Sequence, residues 1–313
     1  MAVDVRDGIT LTSLEQPLFD DAGVTKGEFV DYLDGISTRL VPVLADRALS
    51  VIRARPGQPP FMQKNLPKSA PSWLARVSLW AETSQREVAY ALCNDRRSLL
   101  WFGNQRAVEY HPALVRAGRP DYLTHLVVDL DPPPEASFGV VVAVAHLVHE
   151  VLSDVGLQGV AKTSGAKGVH VFVPVDDEVA IDDAGAALRA LAARVERLGP
   201  TLATTAFMKQ DRANKVFVDS TRSGSATVAA AYSPRIRPGV PVSFPLRWEE
   251  LDSVAPGDFT VRTALGLLAK ADPWASLMPA NQRIPEGLIE EGRAIPIARV
   301  AAMHEGKRRA RPR

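Results

Sequence analysis

Two aspartates with one residue between them end an apolar run in the middle of the chain. The run begins at Leu126, and Asp129 and Asp131 close it immediately before three prolines. Side chains alternate between the two faces of a strand, so both carboxylates are predicted to lie on the same face. Two acids at this spacing repel each other unless a cation lies between them, and hard oxygen ligands suit Mg²⁺ or Mn²⁺. Taken alone, the pair is as compatible with a solvent-exposed strand end as with a metal site.

Two later strands repeat the same alternation of valines with a polar residue. His170 and Asp219 each face away from the valines that precede them. The three acids and the histidine are therefore predicted to converge on one polar surface of a sheet. Three acids suit two divalent cations in an in-line displacement at phosphorus, where one cation activates a 3′-hydroxyl and the other holds a triphosphate. The predicted catalytic and metal-binding acids are Asp129, Asp131 and Asp219, and the predicted cofactor is a pair of Mn²⁺ or Mg²⁺ ions.

A glycine-rich segment between two of these strands offers a place for the triphosphate. The segment Ser164 to His170 contains two glycines, whose backbone N–H groups can approach phosphate oxygens, and Lys167 and His170 add charge or donors. It is not a Walker A loop, because the spacing before the lysine is too short and no helix follows. A glycine-rich hairpin taken alone is more often structural. Basic residues border the third acid, where a triphosphate would need cations: Lys209, Arg212, Lys215, Arg235 and Arg237.

The composition is that of an ordinary globular protein, with 313 residues, 46% hydrophobic, 23% charged and a net charge of +1. A nucleic-acid binder with so small a net charge must concentrate its basic residues on one face. Cys93 is the only cysteine, which excludes an intrachain disulfide and a thiolate zinc site. The first residues lack the features of a signal peptide, and the most apolar run, 140–148, is too short to span a bilayer. We therefore expect a cytoplasmic protein with no membrane partner.

Periodicity and capping signals predict four helices and a series of short strands. Thr25 followed by Glu28 resembles a capping box at the start of the first helix. The predicted helices span 25–44, 95–104, 136–152 and 182–198. The predicted strands span 48–53, 75–79, 87–91, 107–111, 126–131, 160–163, 169–173, 215–219 and 226–231, with a proline-punctuated loop at 59–68. This order predicts an α+β fold in which helices cover one face of an antiparallel sheet.

Together these stretches resemble the polymerase domain of bacterial ligase D, a branch of the archaeo-eukaryotic primase superfamily. The likeness extends over residues 10–270. Its combination of Asp-x-Asp, Ser-Gly-x-Lys-Gly-x-His and a later single aspartate is specific, whereas each part alone is not. The matching segments are 25–26, 61–66, 69–74, 125–132, 163–173, 209–219, 230–235 and 245–248.

The resemblance implies a primase-polymerase fold with a catalytic sheet of RNA-recognition-motif type and a smaller N-terminal α/β lobe. On this basis we expect an N-terminal lobe at 1–120, a catalytic lobe at 121–275 and a C-terminal extension with a basic tail at 276–313. The family implies templated nucleotidyl transfer to DNA, with Mn²⁺ preferred and NTPs or dNTPs as substrates. The implied partner is a DNA primer–template, or a gapped or broken duplex, during end-joining repair at the nucleoid. A separate DNA ligase or end-binding protein is a further candidate partner.

By match to the family, one set of residues would hold the incoming nucleotide: Ser164, Lys167, His170, Arg212, Lys215, Arg235, His111 and Arg53. A second set would contact DNA: Lys26, Phe61 and Lys64, of which the last two lie in the loop 59–68. The family pairs two lysines in its pocket for a DNA 5′-phosphate; Lys26 matches one of them, and Gln16 stands where the other would be. No Lys-x-Asp-Gly ligase motif is present, so a stand-alone polymerase is expected.

Two other functions remain open at this point. A two-metal nuclease or phosphohydrolase would use a similar acidic site on water, but it would have little use for the triphosphate segment. An inactive DNA-binding module would have no reason to keep three mutually repelling acids. The sequence leaves open the preference for NTPs or dNTPs, priming as opposed to extension, and recognition of a 5′-phosphate. The basic end, 307–313, is either a phosphate-binding arm or a solubilising tail.

Overall fold

The computed structural model describes residues 4–81, 85–223, 226–268 and 272–298. The helices in these ranges are α1 Lys26–Leu44, α2 Arg96–Asn104, α3 Phe138–Asp154, α4 Ile181–Leu198, α5 Ala264–Leu267, α6 Pro273–Leu277 and α7 Glu286–Arg293. The strands are β1 Val5–Arg6, β2 Ile9–Thr10, β3 Leu49–Arg55, β4 Gln58–Gln63, β5 Arg76–Ala81, β6 Arg86–Ala91, β7 Ala107–Pro112, β8 Val115–Arg116, β9 Arg119–Leu123, β10 His125–Asp131, β11 Val160–Thr163, β12 Val169–Pro174, β13 Ala203–Thr204, β14 Val216–Asp219 and β15 Pro245–Leu246. The predicted α+β class is confirmed.

The first long helix begins at the predicted capping box. The Thr25 hydroxyl accepts a hydrogen bond from the Glu28 N–H at 3.1 Å, and the Glu28 carboxylate accepts one from the Thr25 N–H at 2.8 Å. The two exchanged bonds satisfy N–H groups that have no partner inside the helix. Phe29 and Leu33 follow at helical spacing and are fully buried. Helix α1 ends at Leu44. Its apolar side packs against the core of the N-terminal lobe.

The first large sheet is built around β3. This strand pairs antiparallel with β4 and β7, and at Leu49 also with β6, whose other edge carries β5. Helices α1 and α2 pack against each other and against β7. These elements form the expected smaller α/β lobe.

The second large sheet has the order β13-β14-β10-β12-β11-β15. All neighbours are antiparallel except β13 and β14, which are parallel. Helices α3 and α4 contact each other, and both pack on β10 and β14, so they cover one face of this sheet. Val128, Leu130 and Val171 are buried at positions that alternate with polar ones. The predicted sheet with helices on one face is confirmed, apart from the single parallel pair.

The predicted strand at 226–231 is wrong. In the described structure this segment makes one isolated bridge, between Thr227 and Ala113, and no ladder. Its backbone instead bonds to both lobes: the Ala230 N–H donates to the Tyr110 carbonyl at 2.9 Å, and the Ala229 carbonyl accepts from Lys162 Nζ at 2.9 Å. The segment is apolar because it is buried between the lobes, and burial alone does not distinguish a strand from an extended connection.

Half of the predicted loop at 59–68 is also wrong, since Gln58–Gln63 forms the edge strand β4. Its two prolines, Pro59 and Pro60, lie at a bulge between the pairs Arg55–Gln58 and Arg53–Phe61. At a bulge on an edge strand a missing N–H breaks no ladder bond, so proline is tolerated there. Residues 64–68 form the loop that follows.

The last described helix packs on the helices that cover the second sheet. Helix α7 lies against α4, and Glu291 pairs with Arg194 at 2.6 Å and Arg197 at 3.0 Å. The predicted basic tail, 307–313, lies outside the described residues, and the predicted domain boundaries stay a prediction. No helix in the described part of the chain is both long and apolar enough to cross a membrane.

We predict that Gly292→Ala weakens the attachment of α7 to α4. A methyl group at Gly292 would collide with the backbone of Ala186 in α4, and backbone cannot move aside as a flexible side chain can. Overpacking of this kind costs about 1–3 kcal/mol, measured as a lower free energy of unfolding in urea.

Gly287→Ala is the matched control in the same helix, because nothing lies within 4 Å of a methyl group there. It should be neutral or should stabilise by up to about 1 kcal/mol through helix propensity. Equal effects of the two substitutions would contradict the close helix crossing.

Candidate active site

A row of titratable groups crosses four strands of the second sheet. Asp129 on β10 lies directly opposite Asp219 on β14 and opposite His170 on β12, and His170 in turn lies opposite Lys162 on β11. The register puts all four on one face, because directly opposed residues in antiparallel strands point the same way. All four are buried, with Lys162 fully so. Asp131 stands two residues beyond Asp129 on the same face; part of the residue is exposed, while the surrounding protein partly desolvates its carboxyl.

Arg222 lies between the two buried acids and was not predicted. Its Nη2 is 2.8 Å from Asp129 Oδ2, and its Nε is 3.2 Å from Asp219 Oδ2. The other oxygen of Asp219 accepts hydrogen bonds from the Thr221 N–H at 2.8 Å and hydroxyl at 2.6 Å. The only sequence signal for Arg222 is its place three residues after Asp219, which does not distinguish it from the other basic residues nearby.

The other side of Asp129 faces His170, which is held in turn by Lys162. His170 Nε2 is 3.4 Å from Asp129 Oδ1, and Lys162 Nζ is 2.8 Å from His170 Nδ1. The ionised Asp129 carboxylate only accepts, so the ring proton is assigned to Nε2, and Nδ1 accepts from the Lys162 amino group. Burial, together with Lys162, lowers the pKa of His170 to about 4, so the ring is neutral at pH 7. Lys162, which sequence reasoning missed, therefore orients the imidazole towards the acids.

The acids themselves carry an excess of negative charge. Burial opposes ionisation of Asp129, but His170 and Arg222 outweigh it and hold the pKa of Asp129 below its ordinary value. For Asp131, burial and the adjacent Asp129 raise the pKa to about 6. A carboxyl with a raised pKa is one for which the surroundings supply too little positive charge. The site is therefore suited to a cation near Asp131.

The donor set is chemically suited to the predicted metal. Three carboxylates supply hard oxygen ligands of the kind that Mg²⁺ and Mn²⁺ prefer. In the described residues, however, no three His, Cys, Asp or Glu side chains are already arranged to hold a metal ion. The oxygens of Asp129 and Asp219 are turned towards Arg222 instead. Asp129, Asp131 and Asp219 thus fit a metal by chemistry, and metal binding stays a prediction.

The glycine-rich segment forms the tight turn between β11 and β12. Ser164 Oγ accepts hydrogen bonds from the N–H groups of Ala166 at 3.2 Å and Gly168 at 3.0 Å, which fixes the turn. Gly165 has φ +69°, a conformation that favours glycine. Lys167 Nζ donates to the Pro134 carbonyl just after the two acids. The segment therefore lies beside the Asp-x-Asp strand end, as its proposed use requires.

Glu109 on β7 connects two of the predicted nucleotide-binding residues. Its Oε2 is 2.9 Å from His111 Nε2 and 3.0 Å from Arg235 Nε, and its Oε1 accepts from the Ile236 N–H at 2.9 Å. Burial acts to raise the pKa of Glu109, but His111, Arg235 and this N–H lower it to about 2. Arg235 Nη1 also donates to the Ser164 carbonyl at 2.6 Å. Glu109, which sequence reasoning missed, thus joins the N-terminal lobe to the glycine-rich turn.

One cleft of about 770 Å³ brings most of the predicted residues together. Its lining includes two predicted acids, several predicted nucleotide-binding residues and one predicted DNA-binding residue: Asp129, Asp131, Ser164, Lys167, His170, His111, Arg235 and Lys64. Arg222, Met62 and Arg237 also line it. The third acid, Asp219, lies beside the cleft through its contact with Arg222.

The remaining predicted residues lie outside this cleft. Arg53 donates to the Gln105 carbonyl at 2.8 Å and lies over the exposed Phe61 ring. Arg212 lies over the Phe217 ring at 3.8 Å, near enough to Asp131 to affect its charge. Lys215 is partly buried just before β14.

Lys26 is also outside the cleft and is only 2% exposed. Its Nζ donates to the Thr12 carbonyl at 2.6 Å and to Asn104 Oδ1 at 2.7 Å. Gln16 lies beside it, with its carbonyl accepting from the Lys26 N–H at 2.8 Å and its side chain accepting from Arg106 at 2.9 Å. A DNA contact by Lys26 would require its present hydrogen bonds to be exchanged, so its DNA-binding role stays a prediction.

Comparisons with known proteins show the family to which the chain belongs. The model of the family "LigD, primase-polymerase domain" matches residues 25–274. The multifunctional non-homologous end joining DNA repair protein LigD of Mycobacterium tuberculosis is 35% identical over 258 residues, which cover 79% of this chain and 34% of that protein. The bifunctional non-homologous end joining protein LigD of Bacillus subtilis is 30% identical over 273 residues, covering 85% of this chain and 43% of that protein. The chain thus spans less than half the length of these relatives.

A solved structure shares the fold. It is the polymerase domain of Mycobacterium tuberculosis ligase D in complex with DNA, with a TM-score of 0.79 and 33% sequence identity. The match covers 86% of this chain and 97% of that one. The expected primase-polymerase fold is therefore confirmed.

We predict that Asp131→Asn stabilises the metal-free protein at high pH. The pKa of this carboxyl is about 6 in the folded protein, against an ordinary value of 3.8. Ionisation of Asp131 therefore lowers the free energy of unfolding. The loss sets in as the pH rises between these two values and is absent below them. Because part of the side chain is exposed, we expect a gain of about 1 kcal/mol at about pH 8 and none near pH 4, measured by urea unfolding with EDTA.

The matched control is Glu135→Gln, which removes an exposed carboxylate a few residues further along the chain. Its unfolding free energy should follow that of the unsubstituted protein at both pH values. If Asp131→Asn gave no gain at high pH, the inferred excess of negative charge would be wrong.

Proposed function

Because the chain belongs to the LigD primase-polymerase family, we propose that it is a DNA-directed nucleotidyltransferase that extends primers or fills short gaps with NTPs or dNTPs. The observation that carries the proposal is the in-register row of Asp219, Asp129 and His170 beside the glycine-rich turn. Acids that can hold cations and a turn that can hold phosphates lie in one cleft, which is the combination that phosphoryl transfer needs. The relatives are named for non-homologous end joining, so we propose a role in repair of broken DNA.

The acids of the row would hold the metal ions. Asp129, Asp131 and Asp219 are the proposed ligands for two Mn²⁺ or Mg²⁺ ions, which when bound would lower the barrier to attack by a 3′-hydroxyl and neutralise the leaving pyrophosphate. His170 stays neutral and presents its Nε2 proton as a donor. His170 therefore donates a hydrogen bond towards Asp129 without adding a positive charge to the site.

The turn and its neighbours would hold the triphosphate. The side chains of Lys167 and Arg235 are the proposed donors, together with those backbone N–H groups of the turn that are not already bonded to Ser164 or Gly168. Glu109 holds His111 and Arg235 in fixed positions, which reduces the entropy lost when a nucleotide binds. Arg212, Lys215 and Arg53, which lie outside the cleft, are the less direct members of the proposed set.

The N-terminal lobe offers the proposed contacts to DNA. Phe61 is 44% exposed on the edge strand β4, and an exposed aromatic ring can stack on a base of any sequence. Lys64 is exposed at the rim of the cleft and can neutralise a phosphate. The structural relative is described in complex with DNA. The proposed partner is a primer–template or a gapped or broken duplex, with a separate DNA ligase or end-binding protein as a further candidate.

Primer extension tests the proposal. On a gapped duplex with Mn²⁺ and NTPs or dNTPs, the unsubstituted protein should lengthen the primer, and Asp129→Asn should reduce the rate by about a thousandfold through loss of a ligand. Glu135→Gln should leave the rate unchanged. Shortening of the primer would indicate a nuclease instead, and full activity of Asp129→Asn would overturn the site assignment. Parallel reactions with and without a 5′-phosphate test whether the phosphorylated end is recognised.

DNA affinity tests the proposed contact by Lys64. Lys64→Gln should weaken binding to a gapped duplex and lower the slope of log affinity against log salt by about 1, because one fewer counterion is released. Lys68→Gln is the matched control, since Lys68 is an exposed lysine of the same loop that does not line the cleft. Identical salt slopes for the two variants would contradict a specific role for Lys64.

A further inference from the structure

The position between the two buried acids is taken by a side chain of the protein itself. The Arg222 guanidinium contacts Asp129 Oδ2 through both Nη2, at 2.8 Å, and Nε, at 3.0 Å. The same Nε lies 3.2 Å from Asp219 Oδ2. One guanidinium therefore bridges two acids that lie directly opposite each other on neighbouring strands.

This bridge uses the oxygens that a metal ion would need. Asp129 Oδ1 faces His170, and Asp219 Oδ1 accepts hydrogen bonds from Thr221. Both Oδ2 atoms face Arg222, so each of the four oxygens has a partner from the chain. A divalent cation that binds both Oδ2 atoms from the position of the guanidinium must therefore displace it.

The location of Arg222 allows such an exchange. It stands three residues after Asp219, in irregular chain beyond the end of β14, so its movement breaks no strand pairing. Its side chain is 32% exposed, whereas those of the two acids are 8% exposed. The guanidinium thus reaches the acids from the open side of the cleft, the side from which an ion would enter.

We propose that Arg222 is a resident counter-cation that neutralises Asp129 and Asp219 in the metal-free protein and is displaced when a divalent cation binds. The inference rests on the proposed function, since it takes the acids to be the metal ligands. The exchange keeps positive charge beside the buried acids at all times, which limits their repulsion. It also lowers the affinity for the metal, because each binding event must break the contacts of Arg222.

Binding of Mn²⁺ without nucleotide or DNA tests the proposal directly. The concentration of free Mn²⁺ is measured by electron paramagnetic resonance. Arg222→Gln should bind Mn²⁺ about tenfold more tightly than the unsubstituted protein, because charge-assisted hydrogen bonds no longer have to be broken. Arg237→Gln is the matched control: it removes an arginine from the same cleft that contacts neither acid. Its affinity should stay within about twofold of the unsubstituted protein, since an exposed charge is screened by solvent.

Thermal unfolding gives a second readout. Without metal, Arg222→Gln should unfold at a lower temperature because two buried acids lose their shared partner, and saturating Mn²⁺ should raise its Tm more than that of the unsubstituted protein. Arg222→Lys keeps the charge but cannot bridge both acids with a planar fork, so its affinity for Mn²⁺ should lie between the two. This variant decides the question if the glutamine variant does not fold.

The outcomes separate this inference from the proposed function. Equal or weaker Mn²⁺ binding by Arg222→Gln and Arg222→Lys would overturn the displacement while leaving the acids as the metal site. Mn²⁺ binding that is unchanged in Asp219→Asn would show that the ions lie elsewhere, and it would overturn both.

Discussion

The antiparallel register that holds β10 between β14 and β12 determines where each charge of the candidate site lies. Asp129 faces Asp219 on one side and His170 on the other. A slip of one residue would turn Asp129 towards α3 and α4 and bring Val128 and Leu130 into the cleft, since strand side chains alternate. Burial of the apolar face against the two helices therefore also determines which residues of β10 face the cleft. The core and the site are specified by one alternation of residues.

A row of buried polar and charged groups is stable only if each member has a partner. Here the contacts continue without a break from Asp219 through Arg222, Asp129 and His170 to Lys162. Lys162 then donates to the Ser243 hydroxyl and to the Ala229 carbonyl, which belongs to the segment 226–231 between the lobes. The charge state of the acids is thus connected to the segment that forms one wall of the cleft.

Local patterns in the sequence were enough to predict the elements that carry the acids. The alternation around Asp129 and Asp219, the capping box at Thr25 and the glycines before His170 are all signals within a few residues, and the structure has strands, a helix and a tight turn at those places. Such signals also gave the α+β class and the helices on one face of the sheet.

The partners of these residues could not be predicted, because they depend on contacts between distant parts of the chain. Lys162 lies in an apolar strand where nothing local indicates its contact with His170, and Glu109 meets Arg235 across 126 positions of sequence. The prediction of a strand at 226–231 is wrong for the same reason, since an apolar run indicates burial but does not show which residues bury it. The side chains that hold the site together can therefore be identified only from the structure.

The balance of charge distinguishes this site from an ion-pair network that only stabilises the fold. Arg222 pairs with Asp129 and Asp219, whereas Asp131 has no ion pair within the described residues, and its pKa is raised to about 6 by burial and by Asp129. A carboxyl in this condition costs stability, so packing alone gives no reason for it. At a site that takes up a cation, the same excess of negative charge supplies the attraction. The unfavourable position of Asp131 is thus an argument for the proposed chemistry that does not depend on the likeness to other polymerases.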